Sequence, residues 1–140
     1  MTLSKQLQVF LVYARGDQNA VHRLYKRIAK EGANVWMDVE KILPGQDWEY
    51  EIRKAIRQSD IVIVCLSRGF MKQGGYRHEE LRIALKKTKS VPDGEIFIIP
   101  ARLETCDTPE LLRRWQRVDL FEADGYKILI RALREYTALA

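Results

Sequence analysis

Six apolar residues in unbroken succession, Ile61-Val62-Ile63-Val64-Cys65-Leu66, constrain this chain more than any other feature of it. A strand with one wet face alternates apolar and polar side chains. A run without polar alternation suits a central strand covered on both faces, as in a parallel sheet with helices packed on either side. Each Val, Ile or Leu fully buried there contributes roughly 1.5–3 kcal/mol by leaving water. Around the run the chain repeats one rhythm five times: a short apolar stretch, a loop of small or polar residues, then a segment of helical period. That alternation argues for an α/β domain built on a parallel sheet.

The first strand is read at residues 8–13, Gln8-Val9-Phe10-Leu11-Val12-Tyr13, ending in the loop Ala14-Arg15-Gly16-Asp17. Val21, Leu24, Tyr25 and Ile28 then recur at helical spacing, with Gly32 placed as a C-terminal stop. The second strand is read at residues 34–38; a Pro44-Gly45 turn follows, and Asp47 is positioned to cap a helix that buries Ile52, Ile56 and Trp48. Trp36 is also read as core, and Trp115 as packing for the last strand. After the apolar run comes a long loop, residues 67–75, to which Gly69, Gly74 and Gly75 lend flexibility, and then a helix from Tyr76. The fourth strand is expected at residues 95–100, stopping at Pro100 because proline cannot donate to a ladder. A short fifth strand at residues 118–121 precedes a last helix carrying Ile128, Leu129, Ala132 and Leu133. Five parallel strands with helices on both faces commonly take the order 2-1-3-4-5, whose reversal lies between the first and third strands.

With 140 residues, 46% of them hydrophobic, the chain fits one compact domain with a real core. No stretch approaches the ~20 apolar residues of a membrane span, and the first residues lack the apolar core of a signal peptide. A soluble, cytoplasmic protein is expected. Cys65 reads as a small buried hydrophobe and Cys106 as a loop residue, so no disulfide framework is implied. The net charge of +5 raises the question of nucleic acid. The basic residues, however, are scattered through several segments and interleaved with Asp and Glu, without a recognised binding motif, which argues for solvated helix faces.

One carboxylate stands out. In Tyr76-Arg77-His78-Glu79-Glu80-Leu81-Arg82-Ile83-Ala84-Leu85, Leu81, Ala84 and Leu85 mark a buried stripe at ~100° per residue. Glu79 points away from that stripe, whereas Glu80 and Tyr76 lie together on its border. Glu80 is thus the acid able to face a crevice at the carboxyl edge of the sheet, flanked by residues 13–17 and 67–75. Periodicity alone favours a plainer role, a Glu placed early in a helix to suit the helix dipole. Other chemistry is less supported: His22 and His78 are the only histidines, and no nucleophilic triad, metal-ligand spacing or glycine-rich phosphate motif accompanies them.

Taken together, three boxes identify a family. Val9-Phe10-Leu11-Val12-Tyr13-Ala14-Arg15-Gly16-Asp17 resembles the first box of Toll/interleukin-1 receptor (TIR) domains. Val35-Trp36-Met37-Asp38-Val39-Glu40-Lys41-Ile42-Leu43-Pro44-Gly45-Gln46-Asp47-Trp48 resembles their second strand and BB loop, and Ser59-Asp60-Ile61-Val62-Ile63-Val64-Cys65-Leu66-Ser67 their third strand. The similarity continues through Gly75-Tyr76-Arg77-His78-Glu79-Glu80-Leu81 and Pro100-Ala101-Arg102-Leu103-Glu104 to the last helix, with a bacterial flavour. It implies a flavodoxin-like three-layer domain over residues 1–140, whether standing alone or cut from a longer protein, and self-association through the BB loop.

In TIR domains that cleave NAD+, the catalytic glutamate follows an aromatic residue by four positions on the helix after the third strand. The matching pair here is Tyr76 and Glu80. The same resemblance implies substrate contacts from Tyr13, Ala14, Arg15, Leu43, Ser67 and Tyr76, with Ala14 standing where relatives often carry a basic residue. It implies cleavage of the bond between nicotinamide and ribose, to ADP-ribose or a cyclic isomer, in a defence or signalling setting. NAD+ would be a consumed substrate, with no resident cofactor and no metal. The rival reading is a non-enzymatic TIR interaction module. A phosphoacceptor receiver on the same topology would need paired acids after the first strand, which this chain lacks.

Overall fold

The apolar run forms the central strand of a five-stranded sheet. The computed structural model describes residues 3, 6–72 and 76–139, and the side chains of all of these except 76–78 and 137–139. Strands β1 (Gln8–Val12), β2 (Asn34–Trp36), β3 (Ile61–Leu66), β4 (Ile98–Arg102) and β5 (Val118–Asp119) pair in the order β2-β1-β3-β4-β5. Every pairing is parallel, with Phe10 opposite Val62 and Val62 opposite Ile98. All six side chains of β3 are 0% exposed, as expected of a strand covered on both faces. The domain is thus a flavodoxin-like α/β fold.

Alternation along the strands sorts the core into two layers. Val9, Leu11, Tyr13, Ile61, Ile63 and Cys65 pack with helices α1 (Gln18–Lys30) and α6 (Gly125–Leu139). Phe10, Val12, Ala14, Val62, Val64 and Leu66 pack with α3 (Trp48–Gln58) and α5 (Tyr76–Thr88). Two shorter helices, α2 (Asp38–Lys41) and α4 (Arg68–Lys72), lie in the loops after β2 and β3. Gly32 closes α1 with φ +114, and a side chain there would meet the Leu3 carbonyl oxygen at 2.5 Å. The stop expected at this glycine is therefore both conformational and steric. Asp47 caps α3 as expected, accepting the Glu49 and Tyr50 amides at 3.1 and 3.2 Å.

Several expectations need correction. The fourth strand runs through Pro100 rather than ending there, from Ile98 to Arg102. The Val62 amide donates to Phe97 O and the Leu103 amide to Leu66 O, so the odd-numbered residues of this segment serve β3. Pro100 therefore turns its missing donor toward β5, whose pairing starts one residue later, at Ala101 and Val118, and runs on to Arg102 and Asp119. No ladder bond is lost, and the proline is tolerated as on an edge. β2 is shorter than read because Asp38 leaves it to start α2. Trp48 is 49% exposed: it is the first residue of α3, whereas Ile52, Ala55 and Ile56 carry that helix's contact with the sheet. Trp36 is half-buried, stacked on Phe10 at 4.9 Å. The long loop after β3 contains α4 with Phe70 buried; its remainder, including Gly74 and Gly75, lies outside the described residues.

Polar bonds fasten the elements to one another. Lys87 Nζ donates to the Ile56, Arg57 and Ser59 carbonyls at 3.1, 2.6 and 2.6 Å, closing the last turn of α3 from α5. Burial holds its pKa below the ordinary lysine value. At the amino edge, Asp60 takes the Gln8 amide at 2.9 Å and the Tyr136 hydroxyl at 3.0 Å, fastening β1 and α6 to the entry of β3. Burial first, then the bond to Asp60, push the Tyr136 pKa from 10.0 up to about 12. Folded Tyr136 therefore holds its proton more tightly than the unfolded chain does. Its contribution to stability is whole below pH 10 and is lost as pH rises through about 12. In urea titrations across this range, the stability difference between wild type and Tyr136→Phe should be constant up to the lower value and narrow above it.

Candidate functional site

Because β1 pairs with β2 on one side and β3 on the other, the strand order reverses at β1 and β3. Connections leaving such a pair diverge and open a crevice at the carboxyl edge. After β1, Ala14 stays extended (φ −81, ψ 144) and residues Arg15–Asp17 form a single 3-10 turn. The Ser67 hydroxyl, one residue beyond β3, donates to the Asp17 carboxylate and accepts the Phe70 amide at 3.0 Å. One buried hydroxyl thus locks the two crevice loops together and orients the start of α4. In the sequence Asp17 carries no more signal of this task than a short polar side chain closing a loop.

The candidate residues separate by layer. Tyr13 is 1% exposed, with its ring in the core under α1 and α6 and its hydroxyl donating to Asp38. It reaches the crevice edge through its backbone and not its ring, and its hydroxyl sets the start of α2. Ala14, 1% exposed, lies in the opposite layer with Leu81 and Ala84 of α5. Arg15 is exposed on its turn. Leu43 is 63% exposed at the tip of the loop after α2. That tip is a tight turn: the Gln46 amide donates to Leu43 O at 3.1 Å across Pro44 and Gly45, and Gly45 has φ +90. Proline followed by a positive-φ glycine is the type II pattern. The side chain of Tyr76 lies outside the described residues, so its relation to Glu80 is not described either.

The two adjacent acids of α5 part company. Glu79 is half-exposed and pairs with Arg82 at 3.5 Å. Glu80 is 2% exposed, deeper than the border position its wheel suggests and buried even more than Leu81 at 5%. Among the described residues the buried strongly polar or charged side chains are Ser59, Ser67 and Glu80, of which only Glu80 carries a carboxyl group. Since α5 begins after the carboxyl end of β3 and returns toward β4, its second turn lies near the same edge as Ala14 and Ser67. A carboxylate in such a low-dielectric position acts strongly on any positive charge brought near it.

Further along the edge, Arg102 grips Asp119 through two bonds of 2.7 and 2.8 Å and donates to the Cys106 carbonyl at 2.7 Å. The Arg102 bond holds the Asp119 carboxyl below the ordinary range. This pair borders a groove of about 1150 Å³ with Trp115, Arg131 and the start of α6. Its task is to join β4 to β5. Cys65 is fully buried and its thiol is pushed upward by burial, which makes it inert packing.

With this geometry in view, the likenesses to known proteins are specific. The family model described as TIR domain matches residues 9–133. A curated relative, the uncharacterized protein y4cD of Sinorhizobium fredii (strain NBRC 101917 / NGR234), is 33% identical over 102 residues, 72% of this chain. The chain spans only 16% of that relative's length. Among solved structures, the TIR domain of the Toll-related receptor TRR-2 from Hydra magnipapillata superposes with TM-score 0.75 at 23% identity, over 91% of this chain and 98% of that one. The TIR domains of the activated Roq1 resistosome recognising the effector XopQ give 0.62 at 19% identity, over 99% and 86%. A prokaryotic SEFIR domain gives 0.66 at 18% identity, over 94% and 92%. At such identities these three structures speak for the fold alone.

The clasp between the crevice loops yields a direct test. Ser67→Ala removes a bond to a carboxylate and the acceptor of a buried amide, so it should cost about 1.5–3 kcal/mol in urea unfolding. Ser67→Cys, which keeps the volume but donates weakly, should fall between the two.

Proposed function

The chain belongs to the TIR-domain family, and from that premise we propose that it is an NAD+ glycohydrolase or cyclase in which Glu80 is the catalytic residue. The observation that carries the reading is the burial of this single carboxylate on α5, at 2% exposure, near the carboxyl edge where the strand order reverses. Such edges are where open α/β sheets receive ligands. The bond to break joins a cationic nicotinamide to ribose. Nicotinamide leaves as a neutral ring and needs no proton, so one carboxylate can do what most glycosidases assign to two.

Glu80 would accept hydrogen bonds from the ribose hydroxyls and stabilise the positive charge that builds on the ribose as the bond lengthens. A fixed negative charge in a water-poor site does this without reorganising at the moment of reaction. Tyr76 would stack against the ring. Tyr13 and Ala14 would border the nucleotide through their backbone, with Arg15 exposed beside them, and Leu43 and Ser67 would close the approaches. Water adding to the ribosyl cation gives ADP-ribose. Attack by the adenine of the same molecule gives a cyclic isomer. NAD+ is consumed in either case, and no resident cofactor takes part.

A specific observation favours assembly as a second property. Val39, Leu43, Trp48 and Tyr50 are 49%, 63%, 49% and 55% exposed on one segment around the turn after α2. Apolar groups gathered on a loop held by a rigid scaffold suit docking to another protein. The Roq1 domains belong to an activated resistosome, and a comparable TIR-to-TIR contact is proposed here. A module that only assembles, with no chemistry, is the reading that loss of turnover in every preparation would favour.

Two outcomes check the proposal. Nicotinamide release followed by chromatography should fall about 10²–10³-fold or more in Glu80→Gln. Glu79→Gln should stay within about twofold, because its exposed pairing with Arg82 is worth little. Equal loss in both, with circular dichroism unchanged, would remove Glu80 from its role. Secondly, Gly45→Pro forces φ near −65° onto a residue that sits at +90, breaking the turn that presents Leu43. Specific activity should rise with protein concentration in the wild type. In the variant, light scattering and turnover should drop together by about tenfold, with the far-UV circular dichroism of the domain retained because the turn is exposed and touches no core residue. Flat specific activity across dilution, with normal self-association of the variant, would overturn the coupling.

A further inference from the structure

The solvent face of α5 meets the second half of α3 in a groove of about 330 Å³. It is lined by Arg53, Arg57, Arg82 and Lys86, with Ile83 and a single acid, Glu79. Arg82 has Glu79 at 3.5 Å, and Arg53 has Glu49 at 2.5 Å, outside the groove. Among the described residues the side chains of Arg57 and Lys86 carry no ion pair. The acids of α3 gather instead at its other end, Asp47, Glu49 and Glu51.

Helix dipoles account for part of this. Arg57 and Lys86 sit in the last turns of their helices, where cations are favoured. The dipole does not account for the rest. Arg53 with Arg57, and Arg82 with Lys86, are like charges at i and i+4, which destabilises each helix taken alone. Packing α3 against α5 then brings both pairs onto one groove, adding repulsion across it. The fold accepts this while an exposed position costs nothing to change.

The geometry matches a linear anion. Residues four apart on a helix stand ~6 Å apart along its axis, so two rungs of paired cations run along the groove. The aliphatic stems of the arginines and Lys86, with Ile83, supply an apolar floor beneath the charges. Arginine forks suit phosphate oxygens in particular. We propose that this groove binds a short oligophosphate, free or carried on a nucleotide, at a site distinct from the crevice that holds Glu80. Lys87, committed to the carbonyls that end α3, stays out of the site, and Glu79 sets its limit by repelling a longer anion.

Sodium tripolyphosphate is the probe, with binding read by calorimetry and by thermal unfolding of the whole chain. It should raise the melting temperature of the wild type more than sodium chloride or sulfate at equal ionic strength, with an affinity that falls steeply with salt. Arg57→Gln combined with Lys86→Gln should weaken binding by about tenfold or more. The control Arg113→Gln with Arg114→Gln, an equal loss of charge elsewhere, should leave it unchanged. Adenosine triphosphate binding more tightly than tripolyphosphate points to a nucleotide held on the apolar floor, and equal affinity to the free chain. Glu80→Gln should bind the probe as the wild type does, which separates this site from the proposed NAD+ chemistry. A response no larger than that to simple salts, or equal losses in the two double variants, overturns the proposal.

Discussion

Burial of β3 on both faces is the constraint from which the rest of the molecule follows. A strand with six side chains at 0% exposure needs a helical layer on each side and a paired strand along each edge. β1 and β4 meet the second demand, α1 with α6 and α3 with α5 the first. Once β1 lies beside β3, its other edge is free to take β2, and the chain must reverse its direction of winding. The crevice is a by-product of that reversal. The polar fastenings sit at the two ends of the same strand: Asp60 at its entry binds β1 and α6, and Ser67 at its exit binds the loop after β1.

Such a core leaves little room for charge, which sharpens the meaning of Glu80. Ser59 and Ser67 have visible local duties, the first donating to Ala55 O at 2.6 Å as α3 ends, the second clasping two loops. A helix-dipole role would explain an acid early in α5, but Glu79 already provides one at the surface beside Arg82. The dipole preference is met there without desolvation. A second acid, turned inward, gives up contact with water that an exposed position would keep. Helix stability alone gives no reason for it.

Much of this was legible in the sequence because it rests on period. The central strand, the caps at Gly32 and Asp47, and the separation of Glu79 from Glu80 follow from spacing plus one residue type, and the strand order from the arrangement that five parallel strands with helices on both faces commonly take. What escaped depends on partners that spacing does not encode. Pro100 could not be placed without knowing that β5 begins one residue too late to need its donor. Trp48 looks apolar enough for the core, yet its position as the first residue after the cap leaves it outside. Tyr13 and Ala14 are neighbours in sequence but face opposite layers, so only one of them shares a layer with α5. The bonds of Asp17, Asp38 and Asp119 join segments far apart in the chain, and local pattern carries no trace of them.

The same long-range bonds explain how an exposed loop can hold a definite shape. The segment after β2 is tied to β1 by Tyr13 and Asp38, and to α1 by His22 and Glu40 at 2.6 Å. On its far side Asp47 anchors it to α3, and between these points Leu43 and Gln46 bond to each other twice. Leu43 is thereby held into solvent by a turn whose conformation is already chosen. An apolar side chain on a floppy loop would lose much of its binding energy to ordering, whereas one presented this way has met most of that cost in folding. Exposure here is consequently a built property of the loop, maintained by one half-buried bond at its root and several surface bonds beyond it, and it places a group of apolar side chains beside the edge of the sheet where the crevice opens.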